Sequence, residues 1–233
     1  MKQVLVTGAN RGVGLELTRQ LLARGDRVIA ACRQPDQAQA LQQWTEEIGE
    51  QLLIVALDVT NDTSVQAARV SVENATDQLD MIINNAGILI KTEVLSTFDA
   101  AIMQRTFDVN VIGVMRVTTQ FLDLLRRGRE PKLINISSQL GSLQKMRPGW
   151  GQYSYNSSKA ALNMVTRMLS FDLQEEGIWV RAVHPGWVQT SMGWSSAPTT
   201  VEASIAGMRK VIEELTLANS GKFFHAEGHE VPW

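Results

Sequence analysis

Short apolar runs alternate with longer amphipathic segments along this chain. Seven of the runs consist mainly of apolar residues and have the length of strands; they span 4–6, 28–31, 52–57, 79–83, 133–136, 178–183 and 222–224. Val4, Leu5 and Val6 are continuously apolar, which is typical of a parallel strand that is covered on both faces. Between the runs, apolar residues recur at the three-to-four-residue spacing of helices with one buried face.

The regular alternation of strand and helix predicts an α/β fold of the Rossmann type. We expect a doubly wound, mainly parallel seven-stranded sheet with helices on both faces. The 233 residues contain no linker, repeat or low-complexity run, so a single domain over 1–233 is expected. Long helices are predicted over 98–127 and 201–217, and the irregular segment 191–200 is predicted to be a lid-like loop.

Composition and charge exclude several classes of protein. The net charge of −2 and the pI near 6.0 argue against a nucleic-acid-binding surface. The single cysteine, Cys32, excludes an internal disulfide framework and is typical of a reducing compartment. No apolar run approaches the ~20 residues of a membrane span, so we expect a cytoplasmic protein without membrane contact. We expect no metal site, and we expect His184 to be structural.

A glycine-rich turn, residues 7–14, joins the first predicted strand to the first predicted helix. Gly8, Gly12 and Gly14 have the spacing Gly-x-x-x-Gly-x-Gly, which differs from the general dinucleotide fingerprint. Glycines allow the backbone to approach a pyrophosphate, and the helix N-terminus supplies free N–H groups and a positive dipole. The turn therefore indicates a dinucleotide site, the alternative being a βα turn that binds no ligand.

The end of the second predicted strand indicates which dinucleotide is bound. Dinucleotide-binding folds commonly place an acidic residue there for the ribose 2′-hydroxyl, whereas this chain has Cys32 and Arg33. Arg33 is suited to a 2′-phosphate, and Arg11 in the glycine turn has the same charge. The sequence therefore predicts NADP(H) in preference to NAD(H), unless both arginines are solvated loop charges.

Polar residues also follow the third and fourth predicted strands. Asp58 either accepts a hydrogen bond from an adenine amino group or caps the helix that opens near Asp62. The segment 84–87, Asn-Asn-Ala-Gly, either lets a cofactor lie against the backbone or forms an ordinary turn. Asn110, inside an apolar helical stretch, is either a helix-kinking structural amide or part of a site.

Tyr155 and Lys159 are four residues apart, so they lie on the same face of a predicted helix. A free tyrosine titrates near pH ~10, and a neighbouring ammonium group lowers that pKa, which would make the phenol a usable acid or base. Ser138 ends the fifth predicted strand and could donate a hydrogen bond to a carbonyl oxygen. Tyr-x-x-x-Lys alone is a weak signal and gains weight only beside a cofactor site.

Six motifs occur in order along the chain: Thr7-Gly8-x-x-x-Gly12-x-Gly14, Asn84-Asn85-Ala86-Gly87, Asn110, Ser138, Tyr155-x-x-x-Lys159 and Pro185-Gly186-x-Val188-x-Thr190. With this combination the sequence resembles the short-chain dehydrogenase/reductase family along essentially its whole length. The lid at 186–193 and the tail at 221–233 are most similar to Sniffer-type carbonyl reductases and bacterial C-factor proteins.

The resemblance implies an NADP(H)-dependent carbonyl reductase or alcohol dehydrogenase acting on a small, apolar ketone, aldehyde or quinone. Tyr155 would be the general acid or base, and Lys159 would lower its pKa and bind the nicotinamide ribose. Ser138 would orient the carbonyl, and Asn110 would hold a water of a proton relay. The residues implied in cofactor binding are Gly8, Asn10, Arg11, Gly12, Val13, Gly14, Arg33, Asp58, Val59, Asn85, Ala86, Gly87, Tyr155, Lys159, Pro185, Gly186, Val188 and Thr190.

Some alternatives remain open at this level. The commonest spacing in the family would place the serine at Ser142, but Ser138 is the residue that ends the apolar strand. Tyr153 has no lysine four residues later and is predicted to be a packing or rim residue. Three tryptophans lie at the predicted edge of the site: Trp150, Trp187 and Trp194. They indicate an apolar substrate, and packing within the lid explains them equally well.

The resemblance also allows a second class of function. A C-factor-like signalling or regulatory protein would retain nucleotide binding with little turnover. A scaffold without cofactor is a third reading, which Arg11 and Arg33 beside the glycine turn oppose. By analogy with the family we expect a homodimer or homotetramer.

Overall fold

The computed structural model describes residues 1–90, 93–149 and 151–233. Its centre is a sheet of seven strands in the order β3-β2-β1-β4-β5-β6-β7, and every neighbouring pair is parallel. This confirms the predicted sheet. The strands are β1 (Gln3–Thr7), β2 (Arg27–Cys32), β3 (Leu52–Ala56), β4 (Met81–Asn84), β5 (Lys132–Ile136), β6 (Trp179–His184) and β7 (Lys222–His225).

Helices cover both faces of the sheet because successive residues of each strand point to opposite sides. On β1, Val4 and Val6 belong to one apolar core, whereas Leu5 belongs to the other. Helices α1, α2 and α7 pack in the first core, and α3, α5 and α6 pack in the second. The helices are α1 (Gly12–Ala23), α2 (Gln39–Ile48), α3 (Asp62–Glu73), α4 (Ala100–Phe107), α5 (Gly113–Arg126), α6 (Tyr153–Asp172) and α7 (Val201–Glu213).

The strand order reverses at β1, which pairs with β2 on one side and with β4 on the other. A crevice therefore opens at the carboxyl ends of these strands, where α/β sheets bind ligands. The glycine turn after β1 and the Asn84–Gly87 turn after β4 lie side by side at this crevice.

Two predicted helices differ from the observed ones. The region 98–127 is not one α-helix, because a π-helical turn, Asp108–Ile112, separates α4 from α5. The last helix ends at Glu213, and Leu217 begins a separate short 3-10 turn. Within the described residues, no helix is long and apolar enough to cross a membrane.

The tail of the chain returns along the free edge of β7. The backbone N–H of Val231 donates to the Phe223 carbonyl at 2.7 Å, and Glu230 forms an antiparallel bridge with Phe224. The Trp233 ring stacks on the Phe223 ring with 5.6 Å between centroids. The tail thus covers the strand that would otherwise be exposed at this side of the sheet.

A chain of buried side-chain amides and hydroxyls joins β4, β5 and α6. Asn84 Nδ2 donates to Asn135 Oδ1 at 2.9 Å, and Asn135 Nδ2 donates to Thr166 Oγ1, also at 2.9 Å. All three residues are almost completely buried. Because buried polar groups are costly when unpaired, these bonds fix the position of α6 against the two strands.

Replacing Asn135 by Leu leaves the Asn84 amide and the Thr166 hydroxyl without this shared partner. We expect the free energy of unfolding to fall by about 1–3 kcal/mol, the cost of unpaired buried polar groups. Urea denaturation followed by circular dichroism measures the change. Thr119→Ala, on the exposed face of α5, is the control and should change stability by less than about 0.5 kcal/mol. Equal effects of the two substitutions would contradict the prediction.

Candidate active site

The glycine turn packs so tightly that two of its positions accept only glycine. Gly8 has a φ of +65°, and a Cβ built on it would lie 3.0 Å from the Ala86 Cα. A Cβ on Gly14 would lie 2.2 Å from the Gly8 carbonyl oxygen. The first turn of α1 is thereby brought against the end of β1 and against the turn that follows β4.

The N-terminus of α1 is left available to an anion. Its N-cap, Arg11, has an extended backbone and provides no side-chain cap within the described residues, and the first turn contains no acidic residue. The exposed N–H groups and the helix dipole favour a phosphate at this position. Asn10 and Arg11 are exposed and Val13 is half-buried at the same turn. A cradle of this shape and charge fits a dinucleotide pyrophosphate.

Thr7 connects the glycine turn to the turn after β4. Its Oγ1 accepts hydrogen bonds from the backbone N–H groups of Asn85 and Ala86, both at 3.0 Å. In return, Asn85 Nδ2 donates to the carbonyls of Thr7 and Gly8 at 2.8 and 3.1 Å. The Asn85 side chain is therefore used for positioning, while Ala86 and Gly87 present a surface of small residues.

Arg33 directly follows β2, and Asp58 lies in the segment after β3. Asp58 Oδ1 accepts hydrogen bonds from Thr60 N and Oγ1 at 2.9 and 2.7 Å. Burial raises the pKa of Asp58, but these bonds and the charge of Arg33 outweigh it, so the pKa lies below its ordinary value. The helix-capping alternative for Asp58 is wrong, because Asn61 caps α3 by accepting from Ser64 N at 2.8 Å.

Val59 is buried beneath the same edge. A Cβ on Gly113, at the start of α5, would lie 2.8 Å from Val59 Cγ2. Gly113 thus allows α5 to approach the segment after β3 closely. This contact holds Val59 in place, so Val59 packs between the segment after β3 and the start of α5.

The segment after β6 meets the glycine turn from the opposite side. A Cβ on Gly12 would lie 3.5 Å from the Thr190 Cγ2 atom. Val188 forms a bridge with Thr199, and Gln189 N donates to the Thr199 carbonyl at 2.9 Å. The loop between them is therefore closed at its base, in agreement with the lid predicted over 191–200.

Two of the three tryptophans predicted at the site edge lie in the segment 186–200, which contains the predicted lid. Trp187 is 49% exposed, and its Nε1 donates to the Gly193 carbonyl at 2.6 Å. Trp194 is 47% exposed. Trp150 lies outside the described residues. The hydrogen bond of Trp187 favours lid packing as part of its role, while much of the ring surface remains free for another contact.

Ser138, Tyr155 and Lys159 are all buried at the carboxyl edge of the sheet. The Lys159 Nζ donates to the Ile136 carbonyl at 2.8 Å and lies 5.7 Å from the centroid of the Tyr155 ring. Burial lowers the pKa of Lys159 to about 8. The Lys159 Nζ also lies beside Gly87, at 3.8 Å from a Cβ built there.

The pKa of Tyr155 differs from the sequence-based expectation in its direction. Burial raises it to about 12, and a hydrogen bond with Ser138 opposes this rise only in part. In the protein alone the pKa of Tyr155 is therefore raised, opposite to the expected direction. The physical reason is that the Lys159 amino group is directed to the Ile136 carbonyl, and its own charged form is disfavoured by burial.

The structure separates the two candidate serines. Ser138 Oγ is close to Tyr155 and accepts a hydrogen bond from Leu140 N at 3.2 Å. Ser142 Oγ instead donates to the Trp233 carbonyl at 3.1 Å, which ties the loop after β5 to the tail. Ser138 is thus the serine that the fold brings to the tyrosine.

Asn110 lies in the middle of the π-helical turn. Its Oδ1 accepts from Ile88 N at 2.9 Å, and its Nδ2 donates to the Ile88 carbonyl and to Ser158 Oγ, both at 3.0 Å. Asn110 therefore fixes the segment after β4 against α6, as a structural amide would. Since both amide hydrogens are used, any water held by this residue must donate to a carbonyl oxygen.

An open cleft of about 370 Å³ lies beside α6, and Tyr153 is among the residues that line it. Its lining includes Leu143 and Met146 from the loop after β5. None of Ser138, Tyr155 and Lys159 is among the described lining residues. This cleft is therefore adjacent to the candidate site and does not define it.

A profile described as short chain dehydrogenase matches residues 2–200 of the chain. The chain belongs to the short-chain dehydrogenase family. Two solved structures have a TM-score of 0.95 to it: an NADPH-bound carbonyl reductase from chicken fatty liver, 37% identical, covering 100% of this chain and 99% of its own, and the carbonyl reductase Sniffer of D. melanogaster, 32% identical, covering 100% of both. The C-signal of Myxococcus xanthus is 44% identical over 158 residues, which is 68% of this chain and 95% of that protein.

One residue of this short-chain dehydrogenase was missed by the sequence analysis. Glu93 is buried, and its carboxylate accepts hydrogen bonds from Ser154 N, at 2.6 Å, and from Ser154 Oγ. The N-cap of α6, Gln152, has a left-handed backbone and provides no side-chain cap of its own. Glu93 therefore caps α6 one residue before Tyr155. The contact joins residues 61 positions apart, so no local sequence signal reveals it.

Glu93→Ala is expected to loosen the N-terminus of α6 and to displace Tyr155. The free energy of unfolding should fall by about 0.5–2 kcal/mol, as for the loss of a helix cap, and any turnover that depends on Tyr155 should fall with it. Asp99→Ala, which removes the side-chain cap of α4, is the control: it should reduce stability and leave turnover nearly unchanged. Denaturant unfolding and initial rates are the two measurements. A loss of turnover as large in Asp99→Ala would show that general destabilisation is the cause.

Proposed function

We propose that this protein is an NADP(H)-dependent carbonyl reductase or alcohol dehydrogenase. The observation that carries the proposal is the buried arrangement of Ser138, Tyr155 and Lys159 at the same sheet edge as the glycine turn. A phenol, a hydroxyl and an amino group placed together supply a proton donor, a hydrogen bond for a carbonyl oxygen and a positive charge. The carbonyl reductases to which the chain is similar support this assignment.

The chain would hold the cofactor along the crevice from Arg33 to Thr190. The α1 N-terminus would receive the pyrophosphate, and Asp58 and Val59 would lie at the adenine end. Exposed Arg33, with Arg11 in the glycine turn, would pair with the 2′-phosphate. When bound, NADP(H) supplies or accepts the hydride at C4 of its nicotinamide. Asn85, Ala86 and Gly87 would line the adenosine side of the cofactor. Its nicotinamide end would be held by Pro185, Gly186, Val188 and Thr190.

Tyr155 serves as the general acid in the reductive direction. With a pKa near 12 it carries its proton at neutral pH, so it can donate that proton to the substrate oxygen. Ser138 donates a hydrogen bond to the same oxygen and keeps it in reach of the phenol. Lys159, four residues later on the same face of α6, supplies the positive charge that stabilises the phenolate once the proton has left.

The neutral phenol is the form of Tyr155 that the reductive direction requires. In the oxidative direction the same residue acts as the base. Reduction starts from the neutral phenol that the fold provides. The exposed ring of Trp187 on the lid supports an apolar carbonyl as substrate.

A signalling or regulatory role is the second candidate. The similarity to the C-signal favours it, at 44% identity over 158 residues. The complete set of Asn110, Ser138, Tyr155 and Lys159 favours the enzyme, because binding alone does not require a proton donor. Titration with NADPH and NADH, followed by turnover on aldehydes, ketones and quinones, separates the two. Tight binding without turnover on the whole panel would favour signalling, and no binding would refute both.

Self-association and cytoplasmic location remain predictions. A homodimer or homotetramer would be detected by analytical ultracentrifugation at enzyme-assay concentrations. Neither is needed for the chemistry proposed above, since every group named in it comes from a single chain.

Tyr155→Phe removes the proton donor and keeps the ring. We expect carbonyl reduction to fall by roughly 100- to 10,000-fold, the usual contribution of a general acid, while NADPH affinity changes little. Stopped-flow rates and fluorescence titration measure the two quantities. Tyr153→Phe, a change of the same kind two residues away at an exposed position, should leave both nearly unaltered. If Tyr155→Phe reduced binding and turnover together, a structural role would replace the catalytic one.

Arg33→Asp replaces the proposed partner of the 2′-phosphate by a repelling charge. The affinity for NADPH should fall by about tenfold or more relative to that for NADH, the value of a charge-assisted hydrogen bond. Arg129→Asp makes the same charge change at an exposed position near the amino ends of the strands, where Arg129 N contacts Asp80. Parallel titrations of both variants provide the comparison. An unchanged NADPH-to-NADH ratio in Arg33→Asp would remove the argument for NADP(H).

A further inference from the structure

The three histidines of the chain lie together at one corner of the sheet. His184 ends β6, His225 ends β7 and pairs with it in register, and His229 follows in the tail. The ring centroids of His184 and His225 are 4.9 Å apart, and those of His225 and His229 are 4.7 Å apart. The reaction proposed above uses none of them.

A tight turn adds a carboxylate to this histidine cluster. The Gly228 N–H donates to the His225 carbonyl, and the His225 N–H donates to the His229 carbonyl, both at 2.9 Å. The turn brings Glu227 Oε2 to 3.6 Å from His225 Nδ1 and to 3.9 Å from His229 Nδ1. One candidate ligand atom from each of the three residues lies within 4.8 Å of the others.

We propose that His225, Glu227 and His229 form a binding site for a divalent transition-metal ion, of which Zn²⁺ fits best. Tetrahedral Zn²⁺ with bonds of 2.0–2.2 Å separates its ligand atoms by roughly 3.4 Å. Both nitrogen-to-oxygen distances in the turn exceed that value by only a few tenths of an ångström. Two imidazoles with one carboxylate suit Zn²⁺, Ni²⁺ or Cu²⁺, whereas Ca²⁺ and Mg²⁺ prefer oxygen ligands.

The hydrogen bonds of the turn leave the required lone pair on His225. Its Nδ1 accepts a hydrogen bond from Glu227 N at 3.1 Å, so Nδ1 is unprotonated in this arrangement. A metal ion would take the place of that N–H group, which is exposed and can bond to water instead. The side chains of Glu227 and His229 are 73% and 51% exposed, so both can move the remaining distance without disturbing a core.

The ring of His184, unpaired within the part of the chain that the structure describes, is a second, independent indication of a ligand at this corner. It is 4% exposed, and neither of its ring nitrogens has a hydrogen-bond partner among the described residues. Its ring lies edge-on to His225, at an interplanar angle of 71°. Buried imidazoles are normally paired, so the corner contains more nitrogen donors and acceptors than the protein itself uses. The charge of Lys145 acts on this corner and opposes a cation, so we expect moderate affinity.

The site would adjoin the candidate active site without being part of it. A Cβ on Gly186 would lie 3.4 Å from His225 Nε2, whereas Glu227 Oε2 lies at the other ring nitrogen, Nδ1. A metal ion bound to Nδ1 would therefore fix the ring on which the Pro185–Gly186 turn rests. The proposal does not depend on the enzyme assignment, because no residue of the proposed reaction is among the ligands.

Isothermal titration of the full chain, prepared without a polyhistidine tag, with ZnCl₂ tests the proposal. We expect one saturable site per chain. His229→Gln should weaken binding by about tenfold or more, since loss of even an outer partner of a metal ligand costs about 10- to 100-fold. Glu227→Gln should weaken it as well. Absence of saturable binding, or equal affinity in His229→Gln and the unaltered chain, would overturn the proposal.

Two control variants exclude other zinc ligands. Glu230→Gln changes the neighbouring carboxylate, which pairs with Lys222 at 2.9 Å, and should leave Zn²⁺ affinity unchanged. Cys32→Ser removes the single thiol, which is buried, and should also leave it unchanged. Thermal melting gives a second readout: Zn²⁺ should raise the midpoint of the unaltered chain by more than that of His229→Gln. A rise of equal size in both would refute the site.

Discussion

The close packing of Gly14 against the carbonyl of Gly8 is the constraint on which the candidate site depends. A methyl group on Gly14 would lie 2.2 Å from that oxygen, so α1 could not keep its present position with any other residue there. The same approach brings α1 against the turn after β4, where Thr7 and Asn85 exchange hydrogen bonds. This close approach determines the geometry of the crevice, of the free helix N-terminus and of the small residues that face it.

The buried pair of Tyr155 and Ser138 shows how the fold prepares a proton donor. Removing a phenol from water disfavours its anion, so burial keeps the proton on Tyr155 at neutral pH. Burial also disfavours the charged form of Lys159, whose amino group is satisfied by the Ile136 carbonyl. Tyr155 is therefore neutral at neutral pH, whereas Lys159, with a pKa of about 8, is still mainly charged there.

Sequence reasoning predicted the sheet and its order of elements because continuous apolar runs and helical spacings are local signals. It also selected Ser138 over Ser142, since the end of a strand can be recognised from its apolar run.

Sequence reasoning could not predict the π-helical turn at Asn110 or the cap that Glu93 gives to α6, because both arise from contacts between distant segments. The predicted direction of the Tyr155 pKa shift was wrong for a related reason. Sequence spacing indicates which residues are neighbours, but it does not indicate how deeply they are buried. The histidines and Glu227 were overlooked as a group, although His-x-Glu-x-His at 225–229 was visible in the sequence.

The tail that folds along β7 affects the tendency of the protein to aggregate. An unpaired strand at the side of a sheet offers N–H and carbonyl groups to any other extended chain, and this is a common route to aggregation. Here Val231 and Glu230 occupy part of that edge, and Trp233 covers Phe223 beside it. Peeling the tail away would expose both a hydrogen-bonding edge and an aromatic surface at once. Residues 230–233 therefore protect the edge of β7 against the addition of a strand from another chain.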